Sequence, residues 1–408
     1  MRISSLFFCS LNRISSLVKI KCRGFRLICC LLAFLITIVL PTNSYSTDLN
    51  NIYNWNLPYW APYPKIPSEN KMLKSKVYLG RKLFYEKKLS GTGTMSCGSC
   101  HKPEKGFGDG SDISSGISGQ RLLHNTPTLG NIAYIPIFTW SNPRSTNLEE
   151  HILLPLFKEE PVEMGMAKKK QKIIKFLVRD GEYKDLFNQS FPDSKDKVTI
   201  KNMVKALAAF VRTLISFNSP YDSFRFNKKY DALSEGAKRG EKLFFSEPFN
   251  CFQCHQAPFF TDNYTHQSLP FNEIAYHNTG LYNSGSNKKY EVRHAGLYQY
   301  TGRPKDFGKF RTPTLRNIEL TGPYMHDGSV ETLGEVLDIY ARGGRLVKEG
   351  PHSSDGANNI LKSKYVRGFN LSKGDKQDLI EFLKSLTDYT FIKNTQFSDP
   401  SKIFCQIA

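Results

Sequence analysis

The sequence predicts a mainly α-helical fold made of two similar domains in tandem, each with long loops. Three observations predict it. Apolar residues recur at helical spacing in several segments, strand-like alternation is scarce and short, and one stretch of the chain is duplicated. The chain has 408 residues, of which 40% are hydrophobic and 23% charged. That length and composition allow two or three domains with sizeable cores and exclude wholesale disorder.

The duplication surrounds two Cys-x-x-Cys-His motifs. Its matching pieces are Gly80-Arg81-Lys82-Leu83-Phe84 and Gly240-Glu241-Lys242-Leu243-Phe244 ahead of the motifs, and Thr126-Pro127-Thr128-Leu129-Gly130-Asn131-Ile132 and Thr312-Pro313-Thr314-Leu315-Arg316-Asn317-Ile318 after them. A repeat of this length predicts two copies of one structural unit. We expect an N-terminal domain over residues 47–219, a C-terminal domain over 220–392 and a tail over 393–408, with the joint near Asn218-Ser219-Pro220.

Helices are indicated by apolar faces and end signals. The apolar faces are Met203, Leu207, Phe210, Val211 and Leu214 in one helix and Leu333, Val336, Leu337 and Tyr340 in another. Gly343 and Gly344 end the second helix. Ser372 and Asp375 form a capping box ahead of a third helix.

The N-terminus has the pattern of a secretory signal peptide. Residues 1–26 carry six bases and no acid, a 14-residue apolar run from Leu27 to Leu40 follows, and Ser44 and Ser46 are small residues before a cleavage site. We expect a signal peptide over 1–46 and export to the periplasm. A retained membrane anchor is the alternative, although the run is shorter than the roughly 20 residues that span a bilayer. No later segment approaches that length, so no stable membrane insertion is expected after cleavage.

The nine cysteines fall into groups with different meanings. Four lie in the leader, four belong to the two motifs, and Cys405 is left over. In the motifs, Cys97 and Cys100 precede His101, and Cys251 and Cys254 precede His255. This is the attachment signature of c-type haem, in which two thiols bind the vinyl groups and the next histidine binds iron. A thioredoxin-like redox pair explains neither the histidine nor the duplication. We therefore predict two covalently bound haem c groups in cytochrome c-like domains.

The formal net charge is +19, which by itself is typical of nucleic-acid binders, membrane-surface proteins or partners of acidic molecules. Loss of the six leader bases lowers it to +13, and four haem propionates would leave about +9. We expect no nucleic acid as a partner, and at most an acidic redox partner.

Further motifs resemble the bacterial di-haem cytochrome c peroxidase and MauG family over nearly all of residues 70–390. Besides the two haem motifs, they are Asn125-Thr126-Pro127-Thr128, Trp140, Glu163-Met164-Gly165, Arg311-Thr312-Pro313-Thr314-Leu315-Arg316-Asn317 and Pro323-Tyr324-Met325-His326-Asp327-Gly328. The resemblance implies that hydrogen peroxide is reduced at one haem while the other handles electrons or oxidising equivalents. It also implies a calcium ion between the haems, bound by Asn125 and by the main-chain oxygens of Thr321 and Pro323.

His101 and His255 are the predicted proximal ligands of the two irons. At the second haem the resemblance places the sixth ligand at Tyr340, where MauG-like members have Tyr and other peroxidases have Met. The alternative is that Tyr340 is simply a core residue on the apolar helix face. Met325 falls where the family has a non-ligating residue. The sequence thus favours the MauG-like branch.

The first haem is predicted to be open to peroxide. Other peroxidases cap it with a loop histidine, whereas this chain has Ile117 near that position, and His124 lies close to Asn125 instead. The resemblance implies that Glu163 is the catalytic acid/base group and that Trp140 lies between the haems as an electron relay, although a plain core tryptophan is the alternative. His151 is either a second distal base or a hydrogen-bonded pocket residue.

The sequence is consistent with four different functions. The leading one is a periplasmic MauG-like peroxidase. The second is a classical peroxidase that receives its electrons from a small cytochrome c or cupredoxin. Tyr340 and the missing loop histidine disfavour the activation cycle of that second type. The third is a maturase that oxidises residues on a partner protein. In MauG that reaction uses a further tryptophan in the second half, and this chain has no tryptophan after Trp140. The fourth is a di-haem electron carrier without peroxidase activity.

Overall fold

The computed structural model describes residues 51–283, 294–350 and 353–404. The predicted signal peptide at 1–46 and Cys405 lie outside these residues. From residue 50 onwards the chain forms one compact unit. Among the described residues, no helix combines the length and the apolar character needed to cross a bilayer.

The fold is mainly helical, as predicted. The helices of ten or more residues are Lys74–Tyr85, Leu148–Phe157, Lys170–Arg179, Gly181–Ser190, Ile200–Arg212, Glu235–Phe244, Leu333–Arg342 and Lys373–Lys384. The shorter helices are Cys97–Cys100, Pro220–Arg225, Tyr298–Thr301, Tyr389–Ile392 and Pro400–Phe404. Single 3₁₀ turns occupy Ser68–Asn70, Lys87–Leu89, Pro103–Lys105, Ile132–Tyr134, Cys251–Gln253, Pro304–Asp306, Ile318–Leu320 and Gly356–Asn358. The strands are the antiparallel pairs Tyr276–His277 with Phe310–Arg311 and Leu346–Val347 with Ser354–Asp355.

Two of the three predicted helix signals are present. Of the predicted capping box, the half formed by Ser372 is present, while the Asp375 carboxylate accepts from the Ser372 hydroxyl instead of its backbone N–H. All five residues of the apolar face from Met203 to Leu214 are buried. The helix Leu333–Arg342 ends at Gly343, whose φ of 80° is left-handed, as is usual for a C-terminal glycine. The Ser372 side chain accepts a hydrogen bond from the Asp375 backbone N–H, so the third helix begins at Lys373.

The duplicated glycines lie where two helices cross. The helix Lys74–Tyr85 packs on Ile200–Arg212, and Glu235–Phe244 packs on Lys373–Lys384. A Cβ at Gly80 would lie 1.9 Å from the Ala206 carbonyl oxygen, and one at Gly240 would lie 2.0 Å from the corresponding oxygen of Asp378. Because no side chain fits at such a close approach, glycine is required at both positions. The same crossing therefore occurs once in each half.

The hydrophobic residues form two main cores. The first contains Leu83, Phe84 and Phe210, and the second contains Phe244, Leu337 and Phe382. Each core lies mainly within one of the two predicted domains. The C-terminal end is an exception, because Phe391, from the end of the second predicted domain, and Phe397, from the tail, both pack into the first core.

The two duplicated asparagines meet at the joint between the halves. Asn131 and Asn317 have left-handed φ values of 59° and 61° and are buried. Asn131 exchanges two hydrogen bonds with the Ser216 backbone, and the Asn317 amide donates to the Ser216 hydroxyl. The joint is therefore a buried polar junction rather than an exposed linker.

Candidate haem sites

The two attachment motifs have the same local geometry. His101 Nδ1 lies 2.9 Å from the Phe107 carbonyl oxygen, and His255 Nδ1 lies 3.0 Å from that of Phe260. Both phenylalanines are buried and have positive φ. When Nδ1 donates to a carbonyl, the ring is held in one orientation and Nε2 is left as the lone-pair nitrogen. Each histidine is thus arranged to bind a metal through Nε2.

Burial keeps the groups of both motifs neutral. It lowers the pKa of His101 and His255, so their imidazoles are unprotonated near neutral pH. It also raises the pKa of Cys97, Cys251 and Cys254 to about 12. None of these cysteines forms a disulfide. Two free thiols followed by an imidazole fit thioether attachment of a haem with the histidine as iron ligand.

A large apolar cavity lies in front of the second motif. Its wall includes Cys251, Cys254 and His255, with Tyr340 and Met325 contributed by later segments. Burial raises the pKa of Tyr340 above the usual range, and the nearby thiols Cys254 and Cys251 add to this effect. Tyr340 thus shares the cavity wall with both cysteines. An apolar space with thiols and an imidazole on its wall fits a covalently bound haem.

A carboxyl group and an imidazole lie near the first motif. Burial raises the pKa of both Cys97 and Cys100, and the charge of Glu163 adds to this effect, so the carboxyl interacts electrostatically with the first motif. Burial raises the pKa of Glu163 itself, and Lys158 opposes this. The pKa of His151 is lowered to about 4 by burial and next by His101. Two buried protonatable groups thus interact electrostatically with the first motif.

The loop in which other peroxidases carry a capping histidine, and this chain carries Ile117, lies against the Glu163 segment. The Ile117 backbone N–H donates to the Glu163 carbonyl at 2.9 Å. His124 is elsewhere, in contact with the rings of Phe310 and His326. The Ile117 side chain lies against Gly165, in the same Glu-Met-Gly segment.

Trp140 lies between the two halves. Its Nε1 donates to the Asn125 carbonyl at 2.7 Å, and its own carbonyl accepts from the Arg311 N–H at 2.9 Å. The Arg311 guanidinium lies 5.6 Å from the centre of the Trp140 ring. Trp140 is buried and also lines the cavity of the second motif. It thus connects the first half to the second site.

Carbonyl oxygens surround the Asn125 side chain. Its amide lies 3.0 Å from the Ser111 oxygen, 3.1 Å from that of Asp112 and 3.3 Å from that of Pro323. The amide oxygen and nitrogen of Asn have nearly the same shape, so Asn125 can present either atom to this position. Thr321 lines the same cavity as Asn125 and Pro323. This oxygen-rich position fits a hard cation such as calcium.

Comparisons with known proteins decide the family. A model of the family "Di-haem cytochrome c peroxidase" matches residues 74–230. Cytochrome-c peroxidase IdrP1 of Pseudomonas sp. (strain SCT) is 34% identical over 347 residues, covering 81% of this chain and 86% of the relative. The chain belongs to the di-haem cytochrome c peroxidase family. It is thus an oxidoreductase with two haem cofactors, as predicted.

Other members support this assignment. Methylamine utilization protein MauG of Methylophilus methylotrophus is 30% identical over 352 residues, covering 86% of this chain and 92% of that protein. A crystal structure of a MauG-like protein associated with microbial copper homeostasis has a TM-score of 0.83 and 41% identity, covering 86% of this chain and 99% of that one. The predicted mainly helical fold is confirmed by this structural match.

Several residues of the two sites have no recognisable signal in the sequence. The carbonyls of Phe107, Phe260, Ser111 and Asp112 act through the backbone, which leaves no side-chain signal. Ser145, whose hydroxyl lies 3.0 Å from His151 Nδ1, has no distinctive motif.

A pair of a buried carboxylate and a half-buried imidazole beside Cys254 has no sequence signal either. It is Asp262 and His277, whose Oδ2 and Nε2 are 2.6 Å apart. Its sequence separation of fifteen residues gives no helical or strand periodicity that could have identified it.

Proposed function

We propose that this protein is a MauG-like c-type peroxidase that reduces hydrogen peroxide at the first haem and shares the oxidising equivalents with the second haem and an external electron donor. The observation that carries the proposal is the difference between the two sites. The Glu163 carboxyl and the His151 imidazole interact electrostatically with the first motif, whereas the Tyr340 phenol shares a cavity wall with the thiols of the second. Such asymmetry is expected when one iron reacts and the other stores charge.

The two haems would be haem c, linked through Cys97, Cys100, Cys251 and Cys254, and they supply the redox chemistry with peroxide. His101 and His255 would bind the two irons through Nε2. Their Nδ1 atoms donate hydrogen bonds to the Phe107 and Phe260 carbonyls, and these bonds fix the orientation of both imidazole rings.

Glu163 is the group that moves a proton at the first site. Cleavage of peroxide consumes two electrons and two protons and yields two waters, and a base must take a proton from one oxygen and deliver it to the other. The raised pKa of Glu163 brings it closer to the operating pH, which suits both steps. Neutral His151, held by Ser145, offers a second hydrogen-bonding group.

Tyr340 is the proposed sixth ligand at the second site. Burial raises its pKa, so the phenol becomes anionic only beside a cation, and the predicted iron is that cation. An anionic oxygen ligand stabilises the ferric state and disfavours reduction. Trp140 would relay electrons between the two sites, and calcium would bind at Asn125, Thr321 and Pro323 next to it.

The protein would act in the periplasm and receive its electrons from another protein. The signal-like N-terminus supports export to the periplasm, where c-type haem is attached. The external donor would be a small one-electron protein such as a cytochrome c or a cupredoxin.

The test is electron paramagnetic resonance of the resting ferric holoprotein, followed by addition of peroxide. We expect one high-spin haem, one low-spin haem with His and Tyr ligands, and rapid bleaching by peroxide. Tyr340→Phe should remove the low-spin signal, whereas the control Met325→Leu, at the other candidate side chain of that cavity wall, should retain it. Two low-spin haems that do not react with peroxide would instead indicate an electron carrier.

A further inference from the structure

A continuous series of aromatic rings leads from the second motif towards the surface. His255 Nδ1 lies 3.0 Å from the carbonyl oxygen of Phe260. The Phe260 ring is 5.1 Å from that of Tyr221, centre to centre, and Tyr221 is 6.4 Å from Phe226. Phe226 in turn stacks on Trp60 at 3.9 Å and an interplanar angle of 16°. Each ring thus touches the next.

Trp60 is brought to this position by the N-terminal segment of the described chain. The hydroxyl of Tyr59 donates to the Phe226 carbonyl, which fixes the segment on the second half. Trp60 is partly exposed, and Tyr59 is 82% exposed. The Trp60 Nε1 atom is buried without a hydrogen-bond partner among the described residues. The hydrogen bond between Tyr59 and Phe226 joins residues more than 160 positions apart, so no local sequence pattern predicts it.

Only two members of the series are easily oxidised. Tryptophan and tyrosine lose an electron far more readily than phenylalanine, so Tyr221 and Trp60 can act as stations and the phenylalanines as spacers. The Arg316 guanidinium lies 5.9 Å from the Trp60 ring, but Asp222 binds it through two hydrogen bonds of 2.9 Å. The pair is neutral overall, so little net charge opposes a radical cation on Trp60.

We propose that Trp60 is the point at which electrons from an external donor protein enter, with Tyr221 as the relay towards the second haem. This inference rests on the proposed peroxidase function. Trp60 gives one electron inward and becomes a radical cation, and the donor returns that electron and is itself oxidised. Two such transfers supply the two electrons that one peroxide consumes.

The surroundings of Trp60 indicate the kind of donor. Arg225, Lys228 and Lys229 are exposed and lie within three residues of Phe226, and Asp231 is the one acid between 225 and 231. The chain at the end of the short helix is thus basic and exposed on both sides of Phe226, the ring on which Trp60 stacks. We infer that the donor is a small one-electron protein with an acidic contact surface, because opposite charges steer association.

The experiment uses the haem-loaded protein and three variants. Trp60→Phe keeps a stackable ring, Tyr221→Phe removes the relay, and Trp55→Phe is the matched control. Trp55 lies in the same segment and packs edge-on against Tyr53, outside the series. Absorption spectra and thermal midpoints establish that each variant is folded and loaded.

In the first measurement, peroxide is added without donor, and oxidised residues are located by peptide mass spectrometry. We expect oxygen addition at Trp60 in the wild type, together with an organic radical signal that Trp60→Phe loses and Trp55→Phe retains. An unmodified Trp60 in a wild type that peroxide bleaches would overturn the proposed entry point. A wild type that peroxide does not bleach would instead overturn the peroxidase function.

In the second measurement, reduced plastocyanin serves as an acidic donor and horse cytochrome c as a basic one. We expect the wild type to oxidise plastocyanin faster, with a rate that falls as salt increases. Trp60→Phe and Tyr221→Phe should each slow this oxidation at least tenfold, and Trp55→Phe should not. Equal rates in wild type and Trp60→Phe contradict the relay, and a preference for the basic donor contradicts the acidic partner.

Discussion

At the scale of single residues, the two sites differ in which groups can change protonation. Burial raises the pKa of Glu163, whereas the pKa of His151 is lowered to about 4. His151 is therefore neutral near neutral pH. The pKa of Glu163, by contrast, is shifted upwards, towards neutral pH. A pH dependence of the peroxide reaction should report Glu163.

The first prediction follows from the direction of that shift. Glu163 must be ionised to accept a proton, so the rate of peroxide bleaching should rise as pH increases through a pKa above the ordinary value of about 4.3. Glu163→Gln should lower the rate by roughly 10²–10⁴-fold and remove this rise, because an amide cannot accept the proton. Stopped-flow bleaching of the holoprotein between pH 4 and 8 measures both effects.

Glu159→Gln is the matched control, since Glu159 is an exposed glutamate in the same segment with a long 3.9 Å contact to Lys168. It makes the same charge change and should leave the profile as in the wild type. A profile that is unaltered in Glu163→Gln would show that another group moves the proton.

At the scale of elements, the helix crossings explain why the repeat contains a glycine in each copy. A Cβ at Gly80 would lie 1.9 Å from the Ala206 oxygen and 2.9 Å from the Phe210 Cβ. The first of these contacts is with backbone, which cannot rotate away, so the helices themselves would have to separate.

The second prediction is that Gly80→Ala lowers the free energy of unfolding of the holoprotein by roughly 1–3 kcal/mol, as overpacking does. The loss should occur although alanine is the better helix former. Gly181→Ala is the control, because a Cβ at Gly181, the first residue of its helix, meets nothing within 4 Å. Urea midpoints of both variants measure the difference, and a stabilising Gly80→Ala would mean that the crossing is looser than described.

At the scale of the whole molecule, part of the architecture could be predicted and part could not. The haem motifs were predictable because covalent attachment fixes the spacing of Cys97, Cys100 and His101. The helices were predictable from their apolar faces and caps. The position of Trp60 was not, because it depends on a contact with Phe226, distant in sequence. The role of Asn131 and Asn317 at the joint was also hidden, since the repeat shows the residues but not their shared partner Ser216.

The joint between the halves is held by a buried ion pair. Arg316, from the second copy of the repeat, binds Asp222, from the short helix that follows the joint, and both side chains are 1% exposed. Arg316 also donates to the carbonyls of Ser216 and Pro258. The pair thus connects the end of the first half with the core of the second.

The third prediction concerns this pair. Asp222→Ala leaves a buried guanidinium without its counter-ion, which typically costs about 3–5 kcal/mol. Because Arg316 is bonded to both sides of the joint, we expect urea to disrupt both haem environments at one common, lowered midpoint. Absorption of the high-spin and low-spin haems, followed separately in the same titration, measures this.

The control Asp338→Ala breaks an exposed pair with Lys376 and should cost no more than about 1 kcal/mol. Two well-separated midpoints in Asp222→Ala would show that the halves unfold independently once the ion pair is lost. An unchanged midpoint would show that the hydrogen bonds of Asn131 and Asn317 with Ser216 mainly hold the joint.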